Sequence, residues 1–298
     1  MRNRLLWGAG LILVGALCWY LWIRPADIRA SFQVDALPGV VYQSVKTWSK
    51  TIDNSEVTLG DDLTSFTQTL EVNNSSYVYQ WRAELVNDST SQVIVSVIEP
   101  TQTLLNRVMI PFTNTKIEAD VEGTLKEFYK GILDHLTRFK VEVVGVEEFA
   151  AKQCVYIPLQ TTQTAKAIGM MQHYSMLSSF VVENGLKTTG MPIVEVTNWD
   201  QHTEQLEYNF CYPIELTDSL PDHPLLKYKS INATKAVKAI YNGNYISSDR
   251  AWYALKQYAK KNNLKVSDKP IEVFFNNPNI DSNELSWTAE IYLPLVID

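Results

Sequence analysis

Asn184-Gly185-Leu186-Lys187, followed by Pro192-Ile193 and Asn198, returns seventy-eight positions later as Asn262-Asn263-Leu264-Lys265, Pro270-Ile271 and Asn276. The likeness runs on. Tyr208-Asn209-Phe210-Cys211-Tyr212-Pro213-Ile214 answers Ala289-Glu290-Ile291-Tyr292-Leu293-Pro294-Leu295, with three more residues of offset for a loop to absorb. A chain that writes one supersecondary unit twice stacks the copies about a pseudo-two-fold axis, because one unit alone cannot bury its apolar face. The seam between the copies is then a natural cleft.

Working outward, each copy reads β-α-β-β. Copy one has strand signals at Val141–Val144 and Cys154–Pro158, then a helix over Thr164–Glu183 with Ile168, Met171, Tyr174, Leu177 and Val181 at helical spacing. That helix stops at Asn184-Gly185, a favourable left-handed cap. Copy two has a strand at 235–241, a helix over Ser248–Lys261 carrying Trp252, Leu255 and Ala259, a stop at Asn262-Asn263, and strands at Pro270–Phe275 and Leu285–Leu295.

Upstream, Ile28–Val34 alternates as a strand, and Pro38–Trp48 reads as a short helix with Val41, Val45 and Trp48 on one face. Tyr77, Tyr79, Trp81, Ala83 and Leu85 share one face of a strand that turns at Asn87-Asp88-Ser89-Thr90 and returns as Val93–Ile98, a hairpin pattern. A long helix follows from Gly123-Thr124, where Thr124 and Glu127 have capping-box spacing, with Leu125, Phe128, Ile132, Leu136 and Phe139 on its apolar face.

The first residues are of a different kind. Leu5–Ile23 carries no charge, and its 19 residues at about 1.5 Å each make roughly 28 Å of helix, close to one bilayer core. Trp7 stands near one end, Trp19, Tyr20 and Trp22 near the other, where aromatic belts lie. This predicts one uncleaved transmembrane helix, ended by Arg24-Pro25. Arg2 and Arg4 against Arg24 and Arg29 lean the N-terminus to the cytoplasm, which predicts a single-pass protein with an extracytoplasmic soluble part.

The chain has 298 residues, more than one average domain, and its net charge of −7, with no basic stripe, argues against a nucleic-acid partner. With Cys18 in the apolar helix, Cys154 and Cys211 form an even pair; they could bridge outside the cytoplasm or stay buried and free. His135, His173, His202 and His223 are scattered without metal spacing. Glycine loops for nucleotides, a G-x-S-x-G elbow and a C-x-x-C pair are also missing, so neither cofactor nor metal is expected.

Two resemblances rest on these residues. The element order over 27–140 resembles START-like (SRPBCC, polyketide-cyclase-type) domains, which implies a curved antiparallel sheet wrapping a C-terminal helix over an apolar cavity; Asn106–Phe112 departs from that pattern. Tyr241-Asn242-Gly243-Asn244-Tyr245, Trp252-x-x-Leu255, Pro270-Ile271-Glu272-Val273-Phe274, Asn277-Pro278 and Glu290-Ile291-Tyr292-Leu293-Pro294 resemble the GyrI-like, or AraC effector-binding (SOUL-like), domain over 141–298. That resemblance implies a ligand cleft between two β-α-β-β halves, for lipophilic and often cationic molecules; some relatives are hydrolases. The expected organisation is therefore an α+β chain: an anchor at 1–26, a START-like domain at 27–140 and a duplicated GyrI-like domain at 141–298.

Strand alternation puts Trp287, Ala289, Ile291, Leu293 and Leu295 on one face, suited to helix packing, and Thr288, Glu290 and Tyr292 on the other. The second face is expected to line the cleft. The resemblance places the ligand-contacting glutamate at Glu290, where copy one has Asn209. An aromatic-walled carboxylate can attract a ligand cation or, once desolvated, act as a general base. Tyr241 and Tyr245 beside Gly243 are further candidates, with Phe274 and Val196 as an apolar floor and Trp199 as a lid. The expected function is noncatalytic capture of a small lipophilic or cationic ligand by a membrane-anchored protein. The alternatives are a detoxifying hydrolase using Glu290 and a structural or signalling partner of a membrane protein.

Overall fold

In the computed structural model, residues 2–215, 217, 220–278, 280 and 282–296 are described, without the side chains of 2–6. The chain forms two compact units, Met1–Asp134 and His135–Asp298.

The first unit opens with α1 (Arg2–Cys18), and the helical run continues as a π-helical turn over Trp19–Ile23. Arg24 N donates to Trp19 O, five residues back, at 2.8 Å before Pro25 ends the run. The expected spanning helix is thus split between two helical forms, and among the described residues no helix is long and apolar enough to cross a membrane. Arg2 and Arg4, on which the orientation rests, lie outside the described side chains.

β1 (Ile28–Val34), β2 (Glu56–Leu59), β3 (Ser65–Val72), β4 (Ser75–Leu85) and β5 (Ser91–Ile98) form an antiparallel sheet in the order β1-β5-β4-β3-β2. The predicted hairpin is β4 and β5, with Tyr77, Tyr79, Trp81 and Ala83 buried and Leu85 left outside at the turn. α2 (Pro38–Ser49) buries Val41 and Val45 as its spacing predicts. α3 (Thr103–Met109) occupies the segment that departed from the START-like pattern. α4 (Lys116–Leu136) begins seven residues before the expected Gly123, because the operative cap is Thr115: its backbone N and Oγ1 both meet Glu118 Oε2 at 2.8 Å. Thr124 lies inside the helix, its hydroxyl bonding back to Asp120 O at 2.7 Å. Between α4 and the sheet the space is filled by rings, with Phe128 and Trp81 centroids 5.0 Å apart and edge-on.

In the second unit eight strands make one antiparallel sheet among the described residues, in the order β10-β7-β9-β8-β12-β13-β11-β6. Copy one is β7 (Lys152–Thr162), α5 (Lys166–Glu183), β8 (Ile193–Trp199) and β9 (Gln205–Pro213). Copy two is β11 (Thr234–Gly243), α6 (Arg250–Lys261), β12 (Ile271–Phe274) and β13 (Thr288–Pro294). Two outer strands, β6 (Phe139–Phe149) and β10 (Lys227–Ile231), each lead into one copy and pair with the other, β6 on β11 and β10 on β7.

The duplication is visible bond by bond. Leu186 N donates to Val181 O and Leu264 N to Ala259 O, both at 2.9 Å, behind left-handed Gly185 and Asn263. Thr188 bridges Ile214 as Val266 bridges Leu295. At the join of β8 and β12, Val196 N donates to Pro270 O and Phe274 N to Pro192 O, both at 3.0 Å, the same bond written from each side of the axis. This explains the repeated Pro-Ile: each proline's carbonyl serves the opposite copy, and its missing N–H costs no ladder bond.

Cys154 and Cys211 are free, buried neighbours on paired strands. Burial, then the neighbouring Cys154 thiol, pushes the Cys211 thiol well above the usual range, which keeps Cys211 in its unreactive thiol form. Burial holds Tyr79 and Tyr208 up to about 12, and burial with the Glu290 carboxylate does the same for Tyr292. A folded pKa above the unfolded value of about 10 stabilises the native state below that pH, and this contribution is lost as pH rises through the folded value. The urea midpoint should fall between roughly pH 10 and 12, with phenolate absorbance appearing together with unfolding. Full ionisation of all tyrosines near pH 10 in the still-folded chain would contradict these placements.

Candidate functional site

A cavity of about 400 Å³ opens on the helix-bearing face of the second sheet. Copy two supplies Tyr245, Phe274 and Trp287; copy one supplies Phe210 and, from α5, Met170 and Tyr174. Among the described residues, none of its lining side chains is charged. Side chains directly opposite on paired strands share a face, so Glu272↔Ile291 and Val194↔Phe210 put Phe210, Phe274 and Trp287 on one side by alternation. α5 can approach that side because its Gly169 has no Cβ: one added there would stand 2.3 Å from the Tyr208 hydroxyl.

Tyr245 anchors the ring cluster. Its centroid is 4.7 Å from Phe274 and 5.5 Å from Trp287. Its hydroxyl donates to Thr288 O at 2.9 Å and accepts from Asn276 N at 3.0 Å, and burial raises its pKa, so the phenol stays neutral. Asn276 Oδ1 accepts from Thr288 N at 2.8 Å, which turns its amide with the NH₂ group left to donate. Asn244 caps the short turn that carries Tyr245, its Oδ1 accepting from Ile246 N at 3.0 Å, and its Nδ2 donates to Glu284 Oε1 at 2.7 Å.

Beneath this lining lies a buried ion pair. Lys166, first residue of α5, contacts Glu272 of β12 through Nζ and Oε2, and the two side chains are 1% and 0% exposed. Glu272 also accepts from Trp252 Nε1 at 2.7 Å and from Ser248 Oγ at 3.2 Å. Lys166 Nζ donates to Ser248 Oγ at 2.8 Å and lies 4.7 Å from the Trp252 ring centre. Lys166 belongs to copy one and the other three to copy two, so the pair fastens the copies together.

The sequence-predicted site divides. Tyr245 and Phe274 line the cavity. Glu290 and Tyr292 do not: by alternation from Ile291 they fall on the opposite face, where Tyr292 joins an apolar cluster with Phe149, Ile193, Cys211 and Ile271. There Tyr292 OH donates to Glu290 Oε2 at 2.6 Å, and Lys238 Nζ meets Glu290 Oε1 and Glu147 Oε2, each at 3.0 Å. Burial disfavours the Lys238 ammonium, yet these two carboxylates outweigh it and hold its pKa above the lysine range. The expectation sorted these residues by face as the structure does, but the cavity opens on the helix side, which it had reserved for packing. Tyr241 is fully buried and acts behind the site, its hydroxyl donating to Asn244 O at 2.7 Å. Trp199 is no lid: it is buried, its Nε1 donates to Gln163 Oε1 at 2.8 Å, and its ring meets Trp252 edge-on at 4.9 Å. Val196 is buried and does not line the cavity.

Sequence reasoning missed Trp287, Phe210 and the α5 wall. Ile168 and Met171, which recur at helical spacing with buried Leu177 and Val181, are half exposed, while Met170 is buried. Apolar residues surround α5 because one side packs on the sheet and another borders the cavity, which blurs the period. Among the described residues no cluster of His, Cys, Asp and Glu could hold a metal ion.

A duplicated β-α-β-β sheet enclosing one apolar cavity defines a small-molecule-binding class. The GyrI-like small molecule binding domain matches residues 143–296, and the chain belongs to that family. Among solved structures it is similar to the EcmrR C-terminal domain (TM-score 0.45, 16% identity, covering 54% of this chain and 99% of that one). It is also similar to SAV2435 bound to tetraphenylphosphonium (0.39, 11%, 52% and 94%) and to a hydrolase from Listeria innocua (0.35, 10%, 51% and 92%). No curated protein matches the chain.

Proposed function

We propose that this chain is a membrane-anchored, noncatalytic binder that holds a lipophilic small molecule in the ring-lined cavity of its second unit. The observation that carries this is the lining itself: apolar and aromatic walls with a few fixed amide groups around about 400 Å³, the composition expected of a binding pocket. The START-like reading of the first unit is kept as a fold proposal, supported by its sheet and long final helix, with its interior filled by rings rather than open.

Membrane attachment is supported by exposure. Along α1, Leu11, Ile12 and Leu13 are about 70% exposed or more. Beside its end, Arg107 of α3 donates through Nη1 to Leu21 O at 3.0 Å and pairs through Nε with buried Asp27 at 2.9 Å. This fixes α3, whose Leu104, Leu105 and Val108 are exposed, next to the apolar run. We read the remainder as extracytoplasmic. Flotation of the expressed chain with membranes after alkaline carbonate treatment is the expected result, and release into the supernatant would remove the anchor.

The pocket is tested by filling it. Ala167→Trp, at the wall, should weaken binding of a neutral aromatic probe at least tenfold in calorimetric titration of the full chain, whereas Glu290→Gln should leave affinity within about twofold. Equal binding by wild type and Ala167→Trp would remove the cavity as the site. A large loss with Glu290→Gln would return that carboxylate, and with it the hydrolase alternative, to the ligand.

A further inference from the structure

Resting on that reading of the cavity, we infer that its ligand is electrically neutral, and that Lys166 makes it so by consuming the carboxylate on which a cation would otherwise rest. Glu272 is two residues from lining Phe274, on the same strand face, and Lys166 precedes lining Ala167. Glu272 is thus a carboxylate on the cavity's side of the sheet, close to the lining without being part of it. Here it is held from within the protein by Lys166, Trp252 and Ser248. The pair carries no net charge, so its field on the cavity largely cancels, and the nearer landmark along the chain to the lining is the ammonium's own backbone.

Among the described residues, Glu290 and Glu284 do not replace it. Glu290 is held by Lys238 and Tyr292 on the opposite face. Glu284, reached through Asn244 Nδ2, is partly exposed, so water and salt screen its attraction. A cation entering the cavity would shed hydration and meet, among the described lining residues, rings, apolar side chains and neutral amides, whereas a neutral molecule of the same shape sheds none of that charge solvation. The fixed NH₂ of Asn276 adds a donor. The chemical class is a neutral, ring-bearing lipophile with a hydrogen-bond acceptor.

Triphenylphosphine oxide and methyltriphenylphosphonium are near-isosteric and differ in charge. Calorimetry on the full chain in zwitterionic nanodiscs, with empty nanodiscs as reference, should show the oxide bound at least tenfold more tightly, or about 1.4 kcal/mol. Lys166→Met should raise phosphonium affinity at least tenfold, and Lys166→Met/Glu272→Leu should abolish that gain. Wild-type binding of the phosphonium equal to or tighter than the oxide overturns the inference while leaving the pocket standing, and this comparison needs no variant to fold. Binding of neither compound, together with no probe loss in Ala167→Trp, overturns the pocket itself.

Discussion

Glu272→Ala should destabilise the second unit by about 3–5 kcal/mol, because removing one partner of a buried ion pair leaves the other charge without compensation. The Lys166 ammonium would remain in a site it shares with Trp252 and Ser248, at 1% exposure, with water kept away by α5, α6 and β12. Trp252 Nε1 would lose its acceptor as well. The apolar replacement Lys166→Met/Glu272→Leu should recover most of the loss, since exchanging a whole buried pair for packed hydrophobes is often neutral or stabilising. Urea denaturation of wild type, Lys166→Met, Glu272→Leu and Lys166→Met/Glu272→Leu gives a double-mutant cycle, and hydrogen exchange in β11–β13 assigns the loss to this unit. A single-variant cost below about 1 kcal/mol would show that the pair is hydrated and not the closed contact described. In that case the neutral-ligand inference would fall with it.

The repeat was legible because its markers are local. Asn184-Gly185 and Asn262-Asn263 announce left-handed helix stops, and the prolines after them fix where each strand begins, so both copies could be aligned without knowing the fold. The identity of the partner strand was not legible. β6 and β10 each pair with a strand of the other copy, and no short-range pattern records pairings 71 to 104 residues apart in the chain.

The site was half legible for a related reason. Alternation sorted β13 correctly into Trp287-Ala289-Ile291 and Glu290-Tyr292 sets. Deciding which set meets a ligand requires knowing how far the helices cover the sheet, a tertiary fact. Glu272 was in view, sharing parity with Phe274, but its partner Lys166 stands 106 residues away. A lysine at a helix start normally reads as a solvated end. Here it is buried because Glu272 waits for it, and only the folded chain puts the two together. The start of α4 failed differently: two Thr-x-x-Glu patterns compete, Thr115–Glu118 and Thr124–Glu127, and tertiary packing of Ile117 and Val121 extends the helix to the first.

Phe128→Ala should cost the first unit about 3–5 kcal/mol, the range for removing a fully buried aromatic ring and leaving the hole behind. Phe128 is 1% exposed and is enclosed by Trp81, Trp48 and Phe32, with ring centroids at 5.0, 5.4 and 6.3 Å. These rings come from the sheet and α2, so none can swing into the vacancy without abandoning its own contacts. The hole should stay open and dry, since an apolar cavity offers water no partners. An added apolar molecule such as benzene should then raise the midpoint of the variant and leave wild type unmoved, by mass action on the native state. The comparison also bears on the START-like reading: a fold of that architecture with its cavity filled by its own side chains should become a ligand-binding fold once the filling ring is removed. Loss of less than about 1 kcal/mol, with no response to benzene, would mean that the sheet and α4 simply close over the gap.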